Sequence, residues 1–266
     1  MDDNNIEILA LFALLPVFLI LYYVYIKDRD PEPIKTVAST FGLGALSCIP
    51  AILLELLAEY VLNQTPLDAD SSLYHRAHMF WGVAAIEEVC KWSVVMIYVW
   101  KHKDFDDSYD AIVYCVSASL GFAAAENLLY VAQNGFTVAL LRALTSIPGH
   151  ACFGVFMGFF VAKAKYYYSH ERIQLFRGRM AMALIAPIIV HGEYDYLLTV
   201  NEVWFFLILI AIADVLGVLI IHHSFKDDHP VILYEPPTPP PFLTTPPPFE
   251  GNVSSKTDSN KQCDTE

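Results

Sequence analysis

The sequence predicts an all-α membrane protein, a bundle of about seven transmembrane helices, and three observations carry that prediction. Apolar runs of about twenty residues recur along the chain, each the length a helix needs to cross a bilayer. The 266 residues are 55% hydrophobic and only 17% charged, with a mean hydropathy of +0.42, a composition foreign to soluble domains of this size. Lysine and arginine are spread unevenly over the polar connections, as positive-inside topology requires. A net charge of −13 without any Lys/Arg cluster excludes nucleic acid as a partner. The lipid bilayer is the partner this composition demands.

The first span runs from Ile6 to Ile26. It begins acidic (Asp2, Asp3, Glu7) and no small-residue cleavage site follows, so it reads as a retained span and not a removable signal. Lys27 to Lys35 is a charged loop stiffened by Pro31 and Pro33. The second span, Thr36 to Leu62, carries Glu55 and Glu59 four apart on one face, read as solvent-exposed or structural. Asn63 to Ala77 is a polar loop whose Asn63-Gln-Thr65 is a glycosylation sequon followed by Pro66. The third span is Met79 to Trp100, and Lys101 to Ser108 turns the chain. The fourth runs about Asp110 to Ala132 and the fifth about Thr137 to Ala162. Lys163 to Arg179 reads as the most basic loop. Met180 to Val200 and Val203 to His222 complete the set, with His222 and His223 at the interface.

The loops after spans one, three and five hold Lys27, Arg29, Lys35, Lys101, Lys103, Lys163, Lys165, Arg172, Arg177 and Arg179, while the opposite set holds Arg76 alone. That asymmetry predicts an outward amino terminus and a cytoplasmic carboxyl terminus. The domain expected is therefore residues 1–223, followed by a disordered cytoplasmic tail, 224–266. Glu235-Pro-Pro-Thr-Pro-Pro-Pro-Phe and Thr245-Pro-Pro-Pro-Phe favour extended polyproline, which a Pro-binding domain could dock on. Cys263 stands fourth from the end, but Asp264, Thr265 and Glu266 do not make a prenylation signal. Cys48, Cys90, Cys115 and Cys152 fall inside apolar spans and read as small packing residues.

The third span contains what hydrocarbon should exclude: Glu87, Glu88 and Lys91 near its centre. Each such charge costs about 2.5–3.5 kcal/mol on insertion scales. Span four adds Glu126 and Asn127, span five Arg142 and His150, span six His191 and Asp195. At about 1.5 Å per residue, with the amino terminus outside, Glu87, Glu126, His150 and His191 fall at overlapping depths in the outer half of the membrane, and the overlap survives if the whole bundle is flipped. They read as one site. Lys91 can pair with Glu87 at i,i+4 or Glu88 at i,i+3, holding one glutamate while the other projects into the bundle. A carboxylate so placed suits a general base that activates water. His150, His191 and Glu126 are ligands of a type Zn²⁺ accepts, and they could equally orient water and stabilise an oxyanion without metal. Arg142 reads as a structural partner of Glu126 or as a side chain that snorkels outward, and not as part of the chemistry.

Glu87-Glu-Val-Cys-Lys91 resembles the E-E-x-x-K motif of the PrsW intramembrane proteases. Leu120-Gly-Phe-Ala-Ala-Ala-Glu-Asn-Leu-Leu-Tyr130 resembles that family's G-F-A-x-x-E-N-x-x-Y motif. Arg142 with Pro148-Gly-His150 resembles the third motif, His191-Gly-Glu-Tyr-Asp195 the fourth, and Asp28-Arg-Asp-Pro-Glu-Pro33 the loop after the family's first span. The match covers about residues 6–222 in order. The wider group includes the CAAX prenyl endopeptidases and bacteriocin-processing enzymes. The resemblance implies an intramembrane endopeptidase acting on a membrane-associated protein substrate. It implies Glu87 as the base, supported by Glu88 and Lys91, with Glu126, His150 and His191 binding metal or water. Asn127 or Asp195 would help with the oxyanion, although Asp195 stands where many relatives carry Asn.

The competing function is a proton- or ion-coupled transporter or channel, since Glu/His chains also make proton relays. No inverted repeat is visible to support it. A seven-helix receptor would leave three charges inside span three unexplained, and a retinal protein would need Lys91 without its glutamates. The expected location is the plasma membrane in a bacterium, or plasma membrane or endomembrane in a eukaryote. Sequence alone leaves the oligomeric state open.

Overall fold

A computed structural model describes residues 3–134 and 136–231. Ten α-helices carry the described chain: α1 (Asp3–Tyr25), α2 (Ile34–Leu46), α3 (Cys48–Leu62), α4 (Ser72–Ala77), α5 (Ala85–Val94), α6 (Asp110–Asn134), α7 (Phe136–Leu144), α8 (Ser146–Ser169), α9 (Ile173–Thr199) and α10 (Val203–Lys226). Two π-helical segments, His78–Ala84 and Val95–Val99, flank α5.

Among the described residues, five stretches are long and apolar enough to cross a membrane: Ile34–Leu62, Asp110–Tyr130, Leu140–Ser169, Ile173–Thr199 and Val203–Lys226. The protein is thus an all-α, multi-pass integral membrane protein. The expected third span is a helix throughout, but two π segments divide it and three charges dilute it. Two spans contain breaks that hydropathy does not register. Ser47 separates α2 from α3, and its hydroxyl donates to the Gly44 carbonyl at 2.7 Å. Thr145 separates α7 from α8.

The expected basic loop 163–179 is mostly helix. α8 runs on to Ser169 and α9 starts at Ile173, leaving a turn with Glu171 at φ 57°. Lys165 is consequently buried, its ammonium donating to the Trp100 carbonyl at 3.0 Å over the Phe105 ring.

Helix α6 forms the centre. Its residues Ala111 to Phe122 are almost wholly buried, and α2 and α8 pack against it. Small residues permit that approach: a Cβ on Gly121 would stand 2.0 Å from the Phe41 carbonyl oxygen, and one on Gly44 would stand 2.1 Å from that of Ala118. Lipid-facing helices are turned inside out relative to a soluble protein. On α10, Trp204, Phe205, Ile208, Ile212, Val215 and Leu219 are all exposed, as the bilayer solvates them.

After α10 the chain stays on the body. Ser108 Oγ and the Tyr109 N–H both donate to Asp228 Oδ1 at 2.9 Å, the Val231 N–H donates to the Asp106 carbonyl, and Val231 is fully buried. The Pro-rich part of the tail expected over 224–266 lies outside the described residues.

Candidate active site

The π segments set the register of α5. A π turn takes in one more residue than an α turn and is found frequently at functional sites. Between the two such segments, Glu87, Glu88 and Lys91 all point into the bundle, with Glu88 and Lys91 fully buried and Glu87 5% exposed. His150 enters from the first turns of α8, just past the Thr145 break, and His191 from the middle of α9. Glu126 and Asn127 come from α6 and Arg142 from α7. Gly192 lets α9 close on the first π segment, because a Cβ there would lie 2.7 Å from the Phe80 ring.

Lys91 is the hub. Its ammonium donates to Glu87 Oε2 at 2.9 Å and Glu88 Oε1 at 2.8 Å, and lies 3.0 Å from His150 Nδ1. It also sits 4.3 Å from the centroid of the Phe122 ring. An ammonium has three donors and no acceptor, so Nδ1 of His150 is the acceptor and Nε2 of the neutral ring holds the proton. That proton is donated to Glu126 Oε2 at 2.9 Å. The expected pairing of Lys91 is present, but it engages both glutamates. What distinguishes them is position: Glu87 lines the cavity, whereas Glu88 lies behind it between Lys91 and His191.

His191 Nδ1 lies 3.0 Å from Glu88 Oε1. Its Nε2 faces Asp195 Oδ2 at 3.2 Å and Glu87 Oε2 at 3.9 Å. Phe153 stacks on the ring at 4.6 Å, fixing its plane. Arg142 pairs with Glu126 Oε1 at 2.8 Å, as the sequence suggested, and its Nε donates to Asn127 Oδ1 at 3.0 Å. All eight residues singled out in the sequence are therefore drawn into one neighbourhood. Asn127 faces Arg142 there.

A cavity of about 760 Å³ opens beside this cluster. Its walls include Glu87, Glu126, His150, His191 and Asp195, with His78, Met79, Leu198 and Thr199 toward one end of the bundle. Glu55, which sequence reasoning assigned to an exposed or structural role, also lines it. The i,i+4 spacing of Glu55 and Glu59 said they share a face, but could not say which helix that face meets.

Three groups present donor atoms within 4.8 Å of one another: Glu87, His150 and His191. Two imidazoles and a carboxylate form a donor set used by catalytic zinc. Glu88 on Nδ1 of His191 is the kind of carboxylate that orients a ligating histidine. Glu88 Oε2 is buried without a hydrogen-bond partner. The residues thus fit a metal in type and spacing, on the condition that Lys91 gives up His150 Nδ1. Glu126, placed in the ligand set by the sequence, is occupied by His150 Nε2 and Arg142.

A family model described as PrsW family intramembrane metalloprotease matches residues 32–221. The chain is similar to proteins named Protease PrsW. That of Geobacillus kaustophilus is 38% identical over 190 residues, covering 71% of this chain and 79% of that protein. That of Oceanobacillus iheyensis is 36% identical over 183 residues, 69% and 79% of the two chains. The Bacillus subtilis protein is 35% identical over 195 residues, 73% and 84% of the two chains. No solved structure matches.

Proposed function

The chain belongs to the PrsW family of intramembrane metalloproteases, and on that premise we propose that its cavity hydrolyses a peptide bond of a membrane-associated protein, with Glu87 as general base. The observation that carries this reading is the convergence of Glu87, His150 and His191, from three helices, on the wall of a membrane-embedded cavity, with buried Lys91 holding Glu87 and His150 from behind. Lys91 fixes Oε2 of Glu87 and leaves Oε1 for a proton. Water attacks the peptide carbonyl carbon and passes a proton to Glu87. The carbonyl oxygen becomes an oxyanion, which His191, oriented by Glu88 and Phe153, stabilises. The intermediate collapses as Glu87 returns the proton to the departing amine. Glu126 and Arg142 hold His150 in its tautomer, and Asp195 steadies His191. Held by Glu87, His150 and His191, a zinc ion would supply Lewis acidity and a more acidic bound water, with Glu87 then a ligand in place of its role as base.

The seven-crossing topology belongs to this proposal. The five long apolar stretches are joined by α1 and by the segment His78–Val99, which at about 1.5 Å per residue is roughly 30 Å long. The Lys/Arg distribution places the amino terminus outside and the carboxyl terminus in the cytoplasm, with the Pro-rich segment as a cytoplasmic tail that a Pro-binding domain would recognise.

The test uses purified full-length chain in liposomes with a panel of single-span peptides, and metal analysis of the same preparation. Glu87→Gln, eluting as a folded protein, is expected to cut kcat by about 10²–10⁴-fold, the range for loss of a general base. Unchanged cleavage by that variant would remove Glu87 from the chemistry. About one zinc per wild-type chain, lost in a His150→Ala, His191→Ala variant, would make those histidines ligands. A metal-free active enzyme would leave Lys91 as the site's cation.

A further inference from the structure

A second cluster of ionisable groups lies far from the first. Asp110 opens α6 and Glu126 follows sixteen residues later, about 24 Å along the same helix. Around Asp110 stand Asp28, from the turn after α1, and Glu32, just ahead of α2. The three are 2%, 7% and 3% exposed. One carboxylate oxygen from each lies within 4.8 Å of the others.

Their hydrogen bonds account for only part of their oxygens. Asp110 Oδ2 accepts from the Asp106 and Asp107 N–H groups at 3.0 and 2.7 Å. Glu32 Oε2 accepts from the Tyr114 hydroxyl. Asp28 Oδ1 accepts from the Asp30 N–H at 3.2 Å, but its Oδ2 is buried with no hydrogen-bond partner. A buried carboxylate oxygen without a partner forfeits its hydration for nothing, a cost that native structures generally offset. Among the described residues no lysine or arginine forms an ion pair with the three. Lys165 is within electrostatic reach, but donates to the Trp100 carbonyl. Burial pushes Asp28 up to about 6 and Glu32 up to about 7, and Asp228 and Asp107 add to the repulsion on Asp28.

We propose that Asp28, Glu32 and Asp110 bind a hard divalent cation, Ca²⁺ or Mg²⁺, that clamps the turn after α1 to the start of α6. The donor set is all oxygen, without the histidine or cysteine that would favour zinc or copper. The spacing suits it, since oxygens bound to one Ca²⁺ at 2.3–2.6 Å stand at most about 5 Å apart. Tyr114 and the main chain already hold one oxygen each of Glu32 and Asp110, so water would complete the shell. The site is structural and takes no part in the hydrolysis proposed above.

The probe is Tb³⁺, a hard cation whose emission Tyr114 would sensitise, titrated into EDTA-stripped full-length protein in mild detergent. The expected result is saturable emission at one ion per chain, displaced by Ca²⁺ or Mg²⁺. It should be unchanged in His150→Ala, His191→Ala and weakened at least tenfold in Asp28→Asn. If Asp28→Asn does not elute as a folded protein, Glu32→Gln takes its place. Absence of saturable emission from the wild type overturns the proposal. So does emission that survives the Asp28 or Glu32 change, or that is lost with the two histidines, which would put the ion in the membrane cavity.

Discussion

Lys91 decides more of the site than any other side chain, because three side chains meet on its one ammonium. It joins Glu87 and Glu88 within α5 and reaches His150 on α8. Replacing it by Met leaves two carboxylates buried without their counter-charge, and breaking a buried pair in this way costs about 3–5 kcal/mol. Lys91→Met should therefore lower the yield of folded protein from detergent, measured by size-exclusion profile. Adding Glu88→Gln should restore part of the yield and none of the cleavage. A stable Lys91→Met protein would show that the pairing is dispensable. The i,i+3 and i,i+4 spacing made the glutamate contacts legible in the sequence. The bond to His150 was not, because it joins residues 59 apart through helix packing. The same limit applies to the ligand set: sequence depth brought Glu87, Glu126, His150 and His191 together, but only packing brings Glu87 within 4.8 Å of both imidazoles and leaves Glu126 occupied by His150 and Arg142.

At the level of elements, the spans were legible and their interruptions were not. Twenty apolar residues announce a crossing whatever their internal geometry. When nearly every position is apolar, periodicity carries no signal that separates α from π turns or marks the breaks at Ser47 and Thr145. Those breaks and π segments are what aim His150 and the Glu87–Lys91 face at the cavity. The extension of α8 to Ser169 was hidden for another reason: Lys163 and Lys165 look like loop residues, yet long basic side chains persist at the ends of helices by reaching toward polar surroundings. The α2–α6 seam gives the clearest element-scale prediction. A Cβ at Gly121 meets the backbone oxygen of Phe41, which cannot rotate away. Gly121→Leu should lower the thermal midpoint of the detergent-solubilised protein, with overpacking costing about 1–3 kcal/mol or more. Gly42→Ala is the control on α2: nothing lies within 4 Å of its Cβ position and Ala favours helix over Gly, so its midpoint should not fall.

For the molecule as a whole, family membership separates the peptidase from the transporter, a choice that intramembrane glutamates and histidines leave open by themselves. The remaining question is which aqueous phase supplies the water for hydrolysis. His78 and Met79, at the start of the third span, line the cavity with Leu198 and Thr199, at the end of α9. Both pairs lie at the end of the bundle that carries the loop 63–71, which joins α3 to α4. The opposite end carries most of the lysines and arginines of the loops, so the proposed topology, with positive loops inside, would turn the cavity toward the outside. Single cysteines can test this in a Cys263→Ser background, because Cys48, Cys90, Cys115 and Cys152 are buried. Thr65→Cys, on an exposed residue of the loop after α3, should react with a membrane-impermeant maleimide in intact cells. Gly178→Cys, with open space around its Cβ position near the start of α9, should react only after permeabilisation. The reverse pattern would turn the whole bundle over and bring water to Glu87 from the cytoplasm. Reaction of both in intact cells would put the two positions on one side and break the alternation of spans on which the proposed seven-crossing topology rests.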